Sequence, residues 1–122
     1  MSHNPGFLKV VEDARRQIQE CTIEEVKTKI DRGHSFELID VREDLEYAKD
    51  HARNAKHIGR GVLERDIETM IPDKQADIVL YCGGGYRSAL AAESLQRMGY
   101  MRVASMIGGM KSWREAGYPM DR

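Results

Sequence analysis

An α/β domain built on a parallel sheet, with helices on both faces, is the fold class this sequence predicts. Three observations carry the prediction. Short apolar runs alternate along the chain with segments of helical periodicity, the pattern of strands joined by crossover helices. The consecutive Ile78, Val79 and Leu80 leave no polar face, which suits a parallel strand covered on both sides. The length of 122 residues allows one domain with a real core and is too short for two comfortable ones.

Asn4 and Pro5 read as the N-cap and first turn of a helix, followed at helical spacing by Phe7, Val10, Val11, Ala14 and Ile18. Thr22 with Glu25 three residues on is a capping box. The helix it opens runs through Val26 and Ile30 and stops at Gly33. FELIDV (36–41) reads as a buried strand, and EDLEYAKDH as a helical turn or two. A brief extended piece around His57 and Ile58 precedes the helix GVLERDIETMI, which Pro72 ends. DIVLYC (77–82) is the next strand, and the helix after it starts near Ser88 and ends at Gly99. RVASMI (102–107) is a further strand, Gly108-Gly109 a turn, and GMKSWREAG a last short helix. Residues 1–17 read as an N-terminal helical extension and 18–122 as the domain proper.

The bulk properties exclude several classes. Nineteen basic against twenty acidic residues give a net charge of -1, which offers no footprint for a nucleic acid or a membrane surface. No apolar run approaches the length of a membrane span. The N-terminus has no basic lead followed by an apolar stretch, so no secretory signal is read and the expected location is cytoplasmic. Cys21 and Cys82 could pair in principle, but a cytoplasmic setting argues for free thiols. His3, His34, His51 and His57 show no metal-ligand spacing with the cysteines. Neither a metal nor an organic cofactor is expected.

The conspicuous chemistry lies in IVLYCGGGYRSALAA (78–92), where an apolar strand stops at a cysteine and three glycines follow. Ligands in parallel α/β sheets sit outside the carboxyl ends of the strands. Asp40 and Cys82 both fall at such ends. A nucleophilic thiol must be present as thiolate, so groups favouring negative charge must surround it. Gly83, Gly84 and Gly85 let the backbone curl so that amides converge. A helix N-terminus near Arg87 and Ser88 adds unpaired amides and the positive end of its dipole. Arg87 itself offers a fork of donors suited to sulfonate or phosphate oxygens. The bland alternative is an inert buried cysteine beside an ordinary turn. The loop fits neither the phosphate-binding P-loop nor the dinucleotide fingerprint.

Taken together, LIDVRE (38–43), the segment around His51, VLYCGGGYRSALAA (79–92), the glycine pair 108–109 and Trp113 resemble the single-domain rhodaneses in order and spacing. The resemblance spans about residues 18 to 119. Cys82, Gly85, Arg87 and Ser88 match the family pattern C-x-x-G-x-R-[ST]. It implies a rhodanese-like fold with a central parallel sheet of about five short strands. It also implies a sulfurtransferase. Cys82 would take a sulfane sulfur from thiosulfate or a related donor and pass it, as a persulfide, to cyanide, a thiol or a protein acceptor. The amides of Gly83, Gly84, Gly85, Tyr86 and Arg87 would stabilise the anionic sulfur, and Arg87 would orient the leaving sulfite.

Other roles stay open. Tyr86 either walls the pocket or is an exposed loop-tip aromatic. Asp40 either braces the loop or pairs with an arginine, because a buried carboxylate needs a partner, or does acid–base work. Arg60 resembles a basic residue near the pocket in some relatives, or is a solvated arginine. Cys21 reads as a core or strand-end residue and Trp113 as a core anchor. In place of the family's Gly-His-Ile-Pro-Gly-Ala stretch stands DHARNAKHI, a departure that bears on pocket shape. Two rival functions remain: a sulfur-relay module for a protein partner, and a dual-specificity-type phosphatase. The phosphatases resemble C-x5-R, whereas Arg87 stands in a C-x4-R spacing.

Overall fold

A computed structural model describes residues 3–122; Met1 and Ser2, where the predicted extension begins, lie outside the described residues. In chain order the elements are α1 (Pro5–Arg15), β1 (Gln19–Cys21), α2 (Ile23–Asp31), β2 (Glu37–Asp40), α3 (Asp44–Lys49), β3 (His51–Ala52) and β4 (Lys56–His57). A 3₁₀ turn (Arg60–Val62) then leads into α4 (Leu63–Met70), β5 (Asp77–Tyr81), α5 (Tyr86–Arg97), β6 (Arg102–Met106), α6 (Gly109–Glu115) and β7 (Met120–Asp121).

Five strands form one sheet in the order β1-β6-β5-β2-β4, and every pairing in it is parallel. The centre is β5, with Leu38 opposite Val79 and Val79 opposite Ala104. Successive side chains alternate between the two faces. Ile39, Ile78, Leu80 and Val103 pack with Leu63, Ile67 and Leu95 of α4 and α5. Leu38, Val79, Tyr81 and Met106 pack with Val26, Met110 and Trp113 of α2 and α6. A helix layer on each face explains why the central strands read as unbroken apolar runs. Among the described residues no helix is long and apolar enough to cross a membrane.

Local signals account for most boundaries. The reciprocal Thr22–Glu25 capping box opens α2. Pro5 stands in the first turn of α1, whose buried Val11 and Ala14 lie on the side that packs against α5. This helix ends at Arg15, short of Ile18, because Gln19–Cys21 joins the sheet edge beside β6. The sequence hides that strand: Gln-Glu-Cys has no apolar run, and an edge strand bonded on one side needs none. The strands β3 and β7, two residues each, form a separate antiparallel ribbon too short to leave a periodic signature. The helix expected from Ser88 starts two residues earlier, at Tyr86, because Gly85 serves as its N-cap in the left-handed conformation.

Candidate active site

Cys82 follows β5 directly and so emerges at the carboxyl edge of the central strand. The loop after it is clamped from outside by the start of α6. The amide of Met110 donates to the carbonyl of Cys82 at 2.8 Å, and that of Lys111 to the carbonyl of Gly83 at 3.0 Å. Gly109 makes this approach possible. Its φ is +53°, and a Cβ there would stand 2.4 Å from the Cys82 carbonyl oxygen. The loop therefore rests on a second backbone rather than on side chains.

The sulfur is recessed. Cys82 is 1% exposed, less open than a loop of glycines suggests, because α5 and α6 close around it. Gly85, at φ +96°, donates its amide to Sγ at 3.1 Å, and Ser88 donates its amide at 3.4 Å. Among the described residues, the amides of Gly83, Gly84, Tyr86 and Arg87 make no hydrogen bond to Sγ. Two amides thus meet the resting sulfur, one from the N-cap and one from the first turn of α5. The Ser88 hydroxyl completes the set. The Cys82 thiol lies 3.6 Å from Ser88 Oγ, which is 2.8 Å from Ser105 Oγ of β6. Both serines are buried, so the hydroxyl can accept from a thiol or turn to donate to a thiolate while Ser105 takes up its other valence.

Arg87 lines the same cleft but is not free. Its Nη1 and Nη2 donate to the two carboxylate oxygens of Glu46 on α3 at 3.0 and 3.4 Å. The Glu46 carboxylate holds the guanidinium above its ordinary range. Arg87 in turn holds the Glu46 carboxyl below the usual glutamate range, against the opposing pull of burial. Glu46 also caps its own helix by accepting the Glu43 amide at 2.8 Å. Sequence reasoning missed Glu46; its only signal was the capping spacing from Glu43 to Glu46.

Above Cys82 opens a cleft of about 340 Å³ lined by His3, Phe7, Cys82, Gly84, Tyr86 and Arg87. Tyr86 is therefore a wall. His3, assigned no role from sequence, is a second wall, and Phe7, read as part of a helical stripe, is a third. Neither residue carries a local signal, since only the packing of α1 on α5 brings them here.

Several candidates lie elsewhere. Asp40 is fully buried and bound by Arg42, whose Nε and Nη2 donate to its carboxylate at 2.8–3.1 Å and whose amide adds a bond at 2.9 Å. It thus pairs with an arginine, the structural role weighed against acid–base work, and is not among the residues that line the cleft. Arg60 has two readings, a basic residue near the pocket or a solvated arginine. It pairs with Glu64 and Ser94 on α4 and α5, away from the cleft lining. The atypical 50–58 segment also stays out of the lining. There Asp50 pairs with Arg114, and its carbonyl accepts from Arg42. Cys21 ends β1, where burial, reinforced by Glu25, pushes its thiol up to about 12. Trp113 is buried and donates its indole N–H to the Pro119 carbonyl, a core anchor as read. Among the described residues, no group of three or more His, Cys, Asp or Glu side chains is placed to hold a metal ion.

Comparison with known proteins places the chain in a family. The family model of the rhodanese-like domain matches residues 22–116. YtwF of Bacillus subtilis (strain 168), provisionally named a sulfurtransferase, is 35% identical over 105 residues, covering 86% of this chain and 99% of that one. YrkF of the same strain, provisionally named a sulfur carrier protein, is 32% identical over 96 residues; the match covers 79% of this chain but only 51% of YrkF, about half its length. Among solved structures, RPA3614 of Rhodopseudomonas palustris CGA009 superposes with a TM-score of 0.89 at 28% identity. The match covers 99% of this chain and 98% of that one, a protein described as of unknown function and a possible tyrosine phosphatase.

Proposed function

Because the chain belongs to the rhodanese-like family of sulfurtransferases, we propose that it moves a sulfane sulfur through a persulfide on Cys82. The observation that carries the reading is the placement of Cys82 Sγ at the floor of a cleft, bonded by the amides of Gly85 and Ser88. In the first half-reaction the Cys82 thiolate attacks the outer sulfur of thiosulfate. The S–S bond of the donor breaks, sulfite leaves with the electron pair, and Cys82 keeps an S–S⁻ group. In the second, cyanide or a thiolate attacks that outer sulfur and the Cys82 thiolate returns with the bonding pair. One nucleophile thus divides a single transfer into two easier displacements. The Gly85 and Ser88 amides offset the negative charge on the inner sulfur, as oxyanion donors do on oxygen.

A protein-dedicated sulfur relay is the second reading, and the sulfur-carrier name of YrkF supports it. Phosphatase chemistry fits less well. A transferring phosphoryl group needs a free cationic clamp, and the guanidinium of Arg87 is engaged by Glu46. The C-x4-R loop is also one residue shorter than the phosphatase pattern.

Steady-state kinetics with thiosulfate and cyanide test the proposal. Parallel double-reciprocal lines, and sulfite released before cyanide is added, are the expected result. Turnover of aryl phosphates that is lost in Cys82→Ser, with no sulfite release, would overturn it. Transfer to protein thiols without turnover of cyanide would favour the relay.

A further inference from the structure

We propose that the cleft over Cys82 selects donors whose sulfane sulfur is carried on an aromatic organic body, with the selecting wall supplied by Phe7 of α1 and by His3 just before it. The inference rests on the sulfur-transfer reading of Cys82.

The wall comes from outside the matched domain. Residues 22–116 carry the family match, whereas His3 and Phe7 precede it and still line the cleft. The ring centroids of His3 and Phe7 lie 4.3 and 5.9 Å from that of Tyr86, and 5.3 Å from each other. Three rings thus edge one opening, at separations typical of aromatic packing. The helix that bears Phe7 and follows His3 is anchored: its Val11 and Ala14 are at most 1% exposed, and it packs against α5. Arg15 ties it to the loop, its guanidinium lying 5.2 Å from the Tyr86 centroid.

Charge and volume point the same way. The cationic side chain beside Cys82, Arg87, is already paired with Glu46, so a second anionic charge on a donor gains little there. Lys111 lines the adjoining hollow with Gly83 and Gly108 rather than the cleft itself. A cleft of about 340 Å³ falls in the size range of sites for organic molecules, and a small inorganic dianion would leave much of it to water. A ring on the donor would displace that water and meet Phe7 and Tyr86.

Benzenethiosulfonate and methanethiosulfonate test this, since they share charge and reacting group and differ in the ring. The Cys82 thiolate attacks the terminal sulfur, the S–S bond breaks, the sulfinate leaves with the electron pair, and the persulfide anion remains. Rates of persulfide formation, each divided by the rate with free cysteine, should favour the aromatic donor by about tenfold. Phe7→Ala should bring the ratio close to one, and Phe7→Leu should leave an intermediate value. A second measurement is independent of sulfur chemistry: calorimetric binding of benzenesulfinate and methanesulfinate to the Cys82→Ser protein. Benzenesulfinate should bind more tightly, and adding Phe7→Ala should erase the difference. Persulfide formation with no preference for the ring in either measurement overturns the wall alone. Ring-selective binding that depends on Phe7, in a protein no donor can load, overturns the sulfur-transfer reading and leaves the wall standing.

Discussion

The guanidinium of Arg87 and the carboxylate of Glu46 form a two-pronged ion pair, 3.0 and 3.4 Å long, across the rim of the cleft that holds Cys82. It joins the first turn of α5 to α3 and decides how much positive charge an incoming anion meets. A planar fork held by a carboxylate is a positioned group, not a free cation.

Glu46→Gln should therefore raise kcat/KM for thiosulfate. The amide can still accept from the Glu43 backbone, so the helix start is kept while one negative charge is removed. Both side chains are partly solvated, so the gain should be about fivefold, the size of an exposed-pair effect near 1 kcal/mol. Unchanged or lower kcat/KM would mean that Arg87 serves the fold alone.

The same pair makes stability depend on acidity. The Arg87 hydrogen bond holds the Glu46 carboxyl below its ordinary value. The unfolded chain therefore takes up this proton first as pH falls. The contribution is present above about pH 4.3, the unfolded value, and is lost as pH falls through the folded value. Urea midpoints of the wild type and Glu46→Gln should differ at pH 7 and draw together as pH falls below about 4.3 and through the lower folded value. A difference that is constant across this window would contradict the pairing.

Much of this site was legible in the sequence because local chemistry writes it. The strand that ends at Cys82, the glycine turn, and the start of α5 are consecutive, and each obeys a rule of backbone conformation or helix capping. What the sequence hid is set by packing between distant segments. Glu46 reaches Arg87 from forty-one positions away, and Ser105 meets Ser88 from the neighbouring strand. Phe7 faces the cleft because Val11 and Ala14 dock α1 on α5, and its apolar spacing predicts burial without saying against what. The edge strand β1 and the two-residue β3 and β7 are defined by their partners, since so few residues carry no period of their own.

Gly109 should prove the least replaceable glycine outside the loop. In Gly109→Ala, the Cβ would stand 2.4 Å from the Cys82 carbonyl oxygen and 2.9 Å from that of Gly83, both backbone atoms. Loss of about 2–4 kcal/mol is expected, combining left-handed strain with overpacking. Gly33→Ala is the control, with φ +68° and nothing within 4 Å, and should cost only about 1 kcal/mol. Urea unfolding of both variants reads the contrast; equal losses would show that close approach at Gly109 contributes nothing.

Ser88→Ala removes the hydroxyl beside Sγ while keeping the amide that donates to it. The donor half-reaction should slow by about tenfold, as expected for one hydrogen bond to a charged group. Ser105→Ala should cost less, since Ser88 keeps its reach to the sulfur. A larger effect from Ser105 than from Ser88 would place the working hydroxyl elsewhere.

Intact-mass spectrometry after incubation with thiosulfate tests the central claim most directly. One added sulfur is predicted on the wild type and on Cys21→Ser, whose missing thiol is the one pushed up to about 12 and so left protonated. Cyanide should remove that sulfur, and Cys82→Ser should never acquire it. An added sulfur that survives in Cys82→Ser, or that disappears in Cys21→Ser, would contradict the assignment of Cys82 as the carrier.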